Sequence, residues 1–338
     1  MAHLTSFTVE NFKRFEHFEM NNIGQFNLIV GDNNVGKTSV LEALLITKSA
    51  EVWRWRMLTT LLAFKRFSNI NASYLRYFAN RSNPEWTKGI TITFVCQPDY
   101  TIEIQYDPAN ETALWDCEPP YNALGIQEKL STGNGYDGIH RYIMPYLPFF
   151  NGYEHHLAQV FENEIQERTT LREQLIQDMK VMLPRLINFD IRTKDSHEPH
   201  LIVFQNGIDP ALPLGVFGDG VIKLFRILIE IILHSDNRLM IDEIDAGVHI
   251  SRFKNFWRTI LKAAATHNVQ LFATTHNWEC LEVFKEVLEE PEMLQYQERA
   301  RCFKLAEMPD GSVKSYPYEF DDFQYAMEAR LDPREVWG

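Results

Sequence analysis

The chain has 338 residues, 45% hydrophobic and 23% charged, with a formal net charge of −13. That length suits about two domains of ordinary size with a large buried core, and the acidic balance excludes a protein that coats nucleic acid through its average field. A plain membrane span is excluded as well, because the longest apolar stretch, near Val221 to Leu233, carries Lys223, Arg226 and Glu230.

In chain order, residues 4–9 and 26–30 read as strands, joined through a turn near Asn21 to Gly24. The second strand runs into GDNNVGKTSV, residues 31–40, in which Gly31, Gly36, Lys37 and Thr38 fit the spacing of a phosphate-binding loop. A helix over 38–48 then opens inside that loop. A triphosphate is a dense anion, and a glycine turn ahead of a helix start offers it converging N–H donors and the positive dipole end. Lys37 would bridge the β- and γ-phosphates and Thr38 would ligate magnesium. The nucleotide-binding candidates are therefore Gly31, Asp32, Asn33, Asn34, Val35, Gly36, Lys37, Thr38 and Ser39, with ATP and Mg2+ as cofactors.

An aromatic-rich helical segment follows to about residue 80. Residues 48–88 hold eight Lys or Arg against two Glu, interleaved with Trp, Phe and Tyr. Packed aromatics with solvated cations are the preferred reading there, with a partner or nucleic-acid surface as the alternative. GITITFVCQ and YTIEIQY alternate around Pro98-Asp99 as a hairpin, and residues 107–152 read as loop-dominated. Residues 154–183 carry helical periodicity as one long helix, and strand-like pieces follow at 186–192 and 200–205. HEPH, residues 197–200, reads as a loop with surface histidines.

The second half alternates helix and strand. A helix over Val221 to His234 is followed by the strand RLMID, a helix over Ser251 to Thr266, the strand VQLFATT and a helix from Trp278, which argues for a parallel sheet. The acidic strand end, RLMIDEID, offers Asp242 for magnesium and Glu243 to orient and deprotonate the attacking water. LFATTHN brings His276 to the same sheet edge as a γ-phosphate contact. The 62 residues after His276 are too few for a nuclease domain. Asp321 and Asp322 there read as a solvated turn before a short helix. Cys96, Cys117, Cys280 and Cys302 are too dispersed for a metal site or a disulfide framework, and the opening residues lack a signal peptide's apolar region, which points to a reducing cytoplasm.

Together these pieces resemble the ABC-type ATPase head, and within it the RecF/SMC-like and OLD (overcoming lysogenization defect) branch found in prokaryotic anti-phage defence. The resemblance rests on residues 4–48, with LTSFTVENFKRF leading into the phosphate loop, and on 214–282, with LMIDEIDAGVHISRF and ATTHN. It implies an α/β P-loop head with a mixed, largely parallel central sheet, flanking helices and an N-terminal antiparallel β lobe. Residues 1–48 and 214–306 would form the two halves of the head, 49–213 an inserted helical and β lobe, and 307–338 an acidic aromatic tail. Lys13 and Arg14 would lie near the base or phosphates. Asp245 would be the D-loop aspartate meeting an opposing subunit, with His249 at the seam or on a helix surface. Gly218, Asp219 and Gly220 would form the signature that donates to the partner's γ-phosphate, with Gly218 where the family has serine and Asp219 able to cap the helix. A Q-loop glutamine is not evident, Gln97, Gln105 and Gln127 being the candidates.

The resemblance implies an ATP-dependent homodimer, with higher oligomers open, and a separate effector, a nuclease, as partner. Direct nucleic-acid binding stays open. A DNA-repair or DNA-handling clamp and an ATP-binding scaffold with little hydrolysis are the competing classes. An AAA+ machine brings its acidic strand sooner than the roughly 200 residues between Lys37 and Asp242 seen here.

Overall fold

Three β-sheets carry the fold in the computed structural model, which describes residues 3–46, 78, 89–95, 99–107, 112–118, 146–147, 157–193 and 199–331. The cationic stretch at 48–88, apart from Phe78, lies outside these residues, as do Gln97, Gln127 and most of 107–152. The first sheet is antiparallel, in the order β2-β1-β4-β5-β6. It joins β1 (Ser6–Phe12) and β2 (Phe15–Met20) to β4 (Ile90–Val95), β5 (Tyr100–Asp107) and β6 (Thr112–Glu118). Alternation sets its inner face: Phe7, Val9, Ile92, Phe94, Ile102 and Ile104 are buried while Glu10 and Glu103 stand outside.

The central sheet has the order β14-β13-β3-β12-β11-β7. β3 (Phe26–Gly31), β11 (Arg238–Ile241), β12 (Gln270–Thr274), β13 (Ala300–Glu307) and the short β7 (Tyr146–Leu147) run parallel, and β14 (Val313–Tyr318) pairs antiparallel on the edge. Every residue of β3, β11 and β12 is buried, as expected of parallel strands covered on both faces. On one face lies α1 (Lys37–Leu45), whose Val40, Leu41, Leu44 and Leu45 fill the space towards the first sheet. On the other face lie α4 (Asp219–Leu233), α5 (Ile250–Thr266) and α6 (Trp278–Leu288). A third, antiparallel sheet of β8 (Leu186–Thr193), β9 (Pro199–Gln205) and β10 (Ile208–Pro213) docks through Phe189, whose ring lies 4.7 Å from that of Phe225 on α4.

Several expectations need correction. Residues 154–183 do not form one helix: α2 (Leu157–Glu164) and α3 (Thr169–Met179) are separated by a break. The amide of Gln166 reaches back five residues to the Phe161 carbonyl at 2.9 Å, and Arg168 leaves helical geometry at φ −93, ψ 81. This re-aims the chain so that Ile165 is buried in the same core as Leu175. Of the described residues within 49–213, β4–β6 extend the first sheet and β7 pairs at the edge of the central one. β6 falls within the stretch expected to be loop. The C-terminal segment folds onto the body: β14 completes the central sheet, and Phe320, Phe323 and Met327 of α7 (Phe320–Glu328) enter the core. Asp321 and Asp322 occupy the first turn of α7, where carboxylates complement the helix dipole.

Candidate active site

Parallel register brings the C-terminal ends of β3, β11 and β12 to one edge of the sheet, the side on which open α/β sheets bind ligands. The chain leaves β3 at Gly31, and α1 starts at Lys37 after Gly36 at φ +113. A Cβ at Gly36 would meet the Phe15 ring at 2.8 Å as well as requiring that left-handed backbone, so only glycine fits. Asp32, Asn33 and Asn34 form the exposed tip, Val35 anchors the loop in the core, and Ser39 follows Thr38 on the first turn of α1. The Lys37 ammonium is folded into the loop, donating to the carbonyls of Gly31 at 2.8 Å and Asp32 at 2.9 Å. Burial lowers its pKa, opposed by the charges of Glu243, Asp242 and Asp32.

Asp242 follows β11 and is buried. Its Oδ2 accepts from Thr38 Oγ1 at 3.0 Å and its Oδ1 from Thr274 Oγ1 at 2.7 Å. The same Thr274 hydroxyl accepts from the Glu243 amide at 2.8 Å, so one side chain of β12 orients both acidic residues. The sequence reading missed Thr274; the doubled threonine of ATTHN was the available signal. β7 helps too, as Leu147 O accepts from the Asp242 amide at 2.9 Å. Glu243 sits at φ +49, which turns its carboxylate out of the strand direction. His276 Nδ1 lies 3.5 Å from Glu243 Oε1. The structure thus assembles Lys37, Thr38, Asp242, Glu243 and His276 at one sheet edge.

Other expected residues divide. Arg14 leans on the phosphate loop, donating to Asn34 O and, at 2.6 Å, to Glu307 Oε2. Lys13 does not reach the loop tip: its ammonium pairs with the buried Glu42 carboxylate on α1 and lies 5.8 Å and 5.3 Å from the ring centroids of Phe12 and Phe78. A buried carboxylate needs a partner, and Lys13 supplies it. Asp245 is turned inward, its Oδ1 accepting from Thr275 Oγ1 at 2.6 Å. His249 caps α5 with its ring, accepting from Ser251 N at 3.3 Å. Gly218 is the N-cap of α4 at φ +87; Asp219 is not the cap, lies in the first turn and makes no side-chain cap bond. Gly220 packs on the turn after Asp245, where a Cβ would lie 3.2 Å from Gly247 O. Only the backbone of Gln105 is described, as part of β5.

The oxygen donors at this edge, a hydroxyl and a carboxylate 3.0 Å apart, fit a hard divalent cation such as Mg2+. Among the described residues no helix is long and apolar enough to cross a membrane.

A family model described as "AAA ATPase domain" matches residues 3–203, and one described as "AAA domain, putative AbiEii toxin, Type IV TA system" matches 129–281. A curated relative from Helicobacter pylori (strain ATCC 700392 / 26695), named "ATP/GTP phosphatase", is 23% identical over 368 aligned positions, covering 96% of this chain and 98% of its own. Among solved structures, an SMC head bound to the C-terminal winged-helix domain of ScpA aligns with TM-score 0.57 at 11% identity, covering 96% of this chain and 99% of that one. The SMC head domain from Thermotoga maritima aligns with TM-score 0.51 at 12% identity, covering 94% and 99%. An SMC head with an extended coiled coil, bound to the C-terminal domain of ScpA from Pyrococcus furiosus, gives 0.55 at 12%, covering 98% and 100%. These likenesses show the SMC-head-like P-loop ATPase fold, and the family match spans more than half of the chain. The chain belongs to the AAA ATPase domain family.

Proposed function

We propose that this chain hydrolyses ATP with Mg2+ at the edge formed by β3, β11 and β12, and that two copies close around the nucleotide to do so. The observation that carries the reading is the Asp242 carboxylate, held at once by Thr38 from the phosphate-loop helix and by Thr274 from β12. Lys37 exchanges its loop carbonyls for the β- and γ-phosphate oxygens, and the loop amides and the start of α1 surround the same anion. Thr38 and Asp242 would hold the magnesium, which when bound neutralises phosphate charge. Glu243 accepts a proton from water as the water oxygen bonds to the γ-phosphorus and the bond to the β–γ bridging oxygen breaks. His276, beside Glu243, contacts the γ-phosphate. Gly218, Asp219 and Gly220 present the start of α4 to the nucleotide of the second copy, and Asp245 holds the turn that flanks that seam from within.

The OLD-like resemblance, together with the toxin and toxin–antitoxin wording attached to the second family model, supports a cytoplasmic anti-phage subunit whose ATP cycle gates a separate effector, a nuclease. Partner proteins bound to two of the SMC heads support an effector on another chain. Native purification yielding no second polypeptide, with no nuclease gene beside this one, counts against that part.

The enzymatic reading is tested with Glu243→Gln. Phosphate release with Mg-ATP should fall by about 100-fold or more, while ATP is retained and light scattering reports a nucleotide-loaded dimer. Equal turnover and equal mass for variant and wild type reject it.

A further inference from the structure

Lys223 lies one turn into α4, four residues after Asp219, and is fully buried. Its Nζ donates to Glu243 O at 2.6 Å and to Ala246 O at 2.9 Å, the two carbonyls that bracket the turn leaving β11. The turn closes on itself through Ala246 N to Glu243 O at 3.0 Å and Val248 N to Asp245 O at 3.1 Å. Burial brings the Lys223 pKa down to about 7, against the opposing pull of Asp245, Cys280, Glu243 and Asp242. An apolar side chain of the same length would fill this space without the desolvation that an ammonium suffers there. The ammonium places two of its hydrogen bonds on the turn that carries Glu243.

The same helix touches that turn a second time. At its start Gly220 packs on Gly247 and Val248, and a Cβ on Gly247 would stand 3.0 Å from that of Asp219. α4 therefore grips the Glu243–Val248 turn at two points one helical turn apart, on the rigid rod whose exposed start is Gly218. Glu243 holds a positive-φ backbone that a residue with a side chain adopts only when its surroundings fix it.

We propose that Lys223 is a positioning residue that sets the Glu243 carboxylate through the backbone of the Glu243–Ala246 turn, so that a shift at the start of α4 is transmitted to Glu243. The inference rests on the ATPase reading above and adds to it a route from one copy's signature segment to that copy's own hydrolytic carboxylate.

The test is Lys223→Met, which keeps the stem and deletes the donors. With Mg-ATP, kcat should fall by about 100-fold, the scale of a displaced catalytic group, while the dissociation constant for a fluorescent ATP analogue stays within about twofold of wild type, a split that a general packing defect does not produce. In a Glu243→Gln background, where the positioned carboxylate is gone, Lys223→Met should cost no further single-turnover rate. Lys223→Gln, which retains a shorter donor, carries the same measurements should the methionine variant not fold. The proposal is overturned by a folded Lys223→Met with near wild-type kcat, by parallel losses of kcat and nucleotide affinity, by additive losses with Glu243→Gln, or by failure of both variants to fold. Wild type that does not hydrolyse ATP, or that matches Glu243→Gln, instead rejects the proposed function and this inference with it.

Discussion

The strand-end half of the site and the helix-start half are built in opposite ways. At the strand ends, Thr38, Asp242, Glu243, Thr274 and His276 are cross-tied within one chain, with Asp242 accepting from two hydroxyls on two different elements. At the start of α4, Gly218 and Asp219 are exposed, no side chain caps the helix, and a Cβ on Gly218 would meet nothing within 4 Å. The first half is preorganised by its own fold. The second offers backbone donors at an open surface, the arrangement that the proposed pairing of two copies puts to use.

Breaking the first half should cost most. Thr274→Val is close to isosteric and leaves one Asp242 oxygen and the Glu243 amide without their shared hydroxyl. Stability should fall by about 1–3 kcal/mol in denaturant unfolding, and kcat by about 100-fold, since both acidic residues lose their orientation. Unchanged kcat in the folded variant would show that Thr274 does not set the site.

The second half is probed more gently by Gly218→Ala. The added methyl meets no atom, so the cost is backbone strain at φ +87, about 1–3 kcal/mol. Relief of that strain re-aims the start of α4. Hydrolysis should fall by about tenfold as donors to the opposing nucleotide are displaced, with ATP affinity of the single chain unchanged in equilibrium titration. A loss of affinity instead would place Gly218 in the chain's own nucleotide pocket and remove the distinction between the halves.

The two halves also differed in how far sequence exposed them. Gly31 to Thr38 and Asp242-Glu243 are contiguous, so pattern alone marked them as candidates, and the fold brings them to one sheet edge. His276 was a candidate because β12 is a short apolar strand that ends two residues earlier, and its ring lies beside Glu243. Thr274 and Lys223 were missed, since each acts through contacts with residues some 20–30 positions away in sequence. Lys223 in an apolar run read only as an argument against a membrane span. The family resemblance implied a place near the nucleotide for both Lys13 and Arg14; in the fold Arg14 leans on the phosphate loop while Lys13, at positive φ, pairs with buried Glu42. The long-helix expectation for 154–183 failed because periodicity persists across a break of four residues, and β13 and β14 were not anticipated, although they build one side of the central sheet.

In the proposed reading, the preorganised half works only when a second copy supplies its open half. Phosphate release per subunit, followed across a dilution series at saturating Mg-ATP, tests this most directly. The account predicts a rate per subunit that rises with protein concentration and levels off once dimers dominate. A rate per subunit that stays constant down to the lowest concentration, where light scattering finds only single chains, contradicts it.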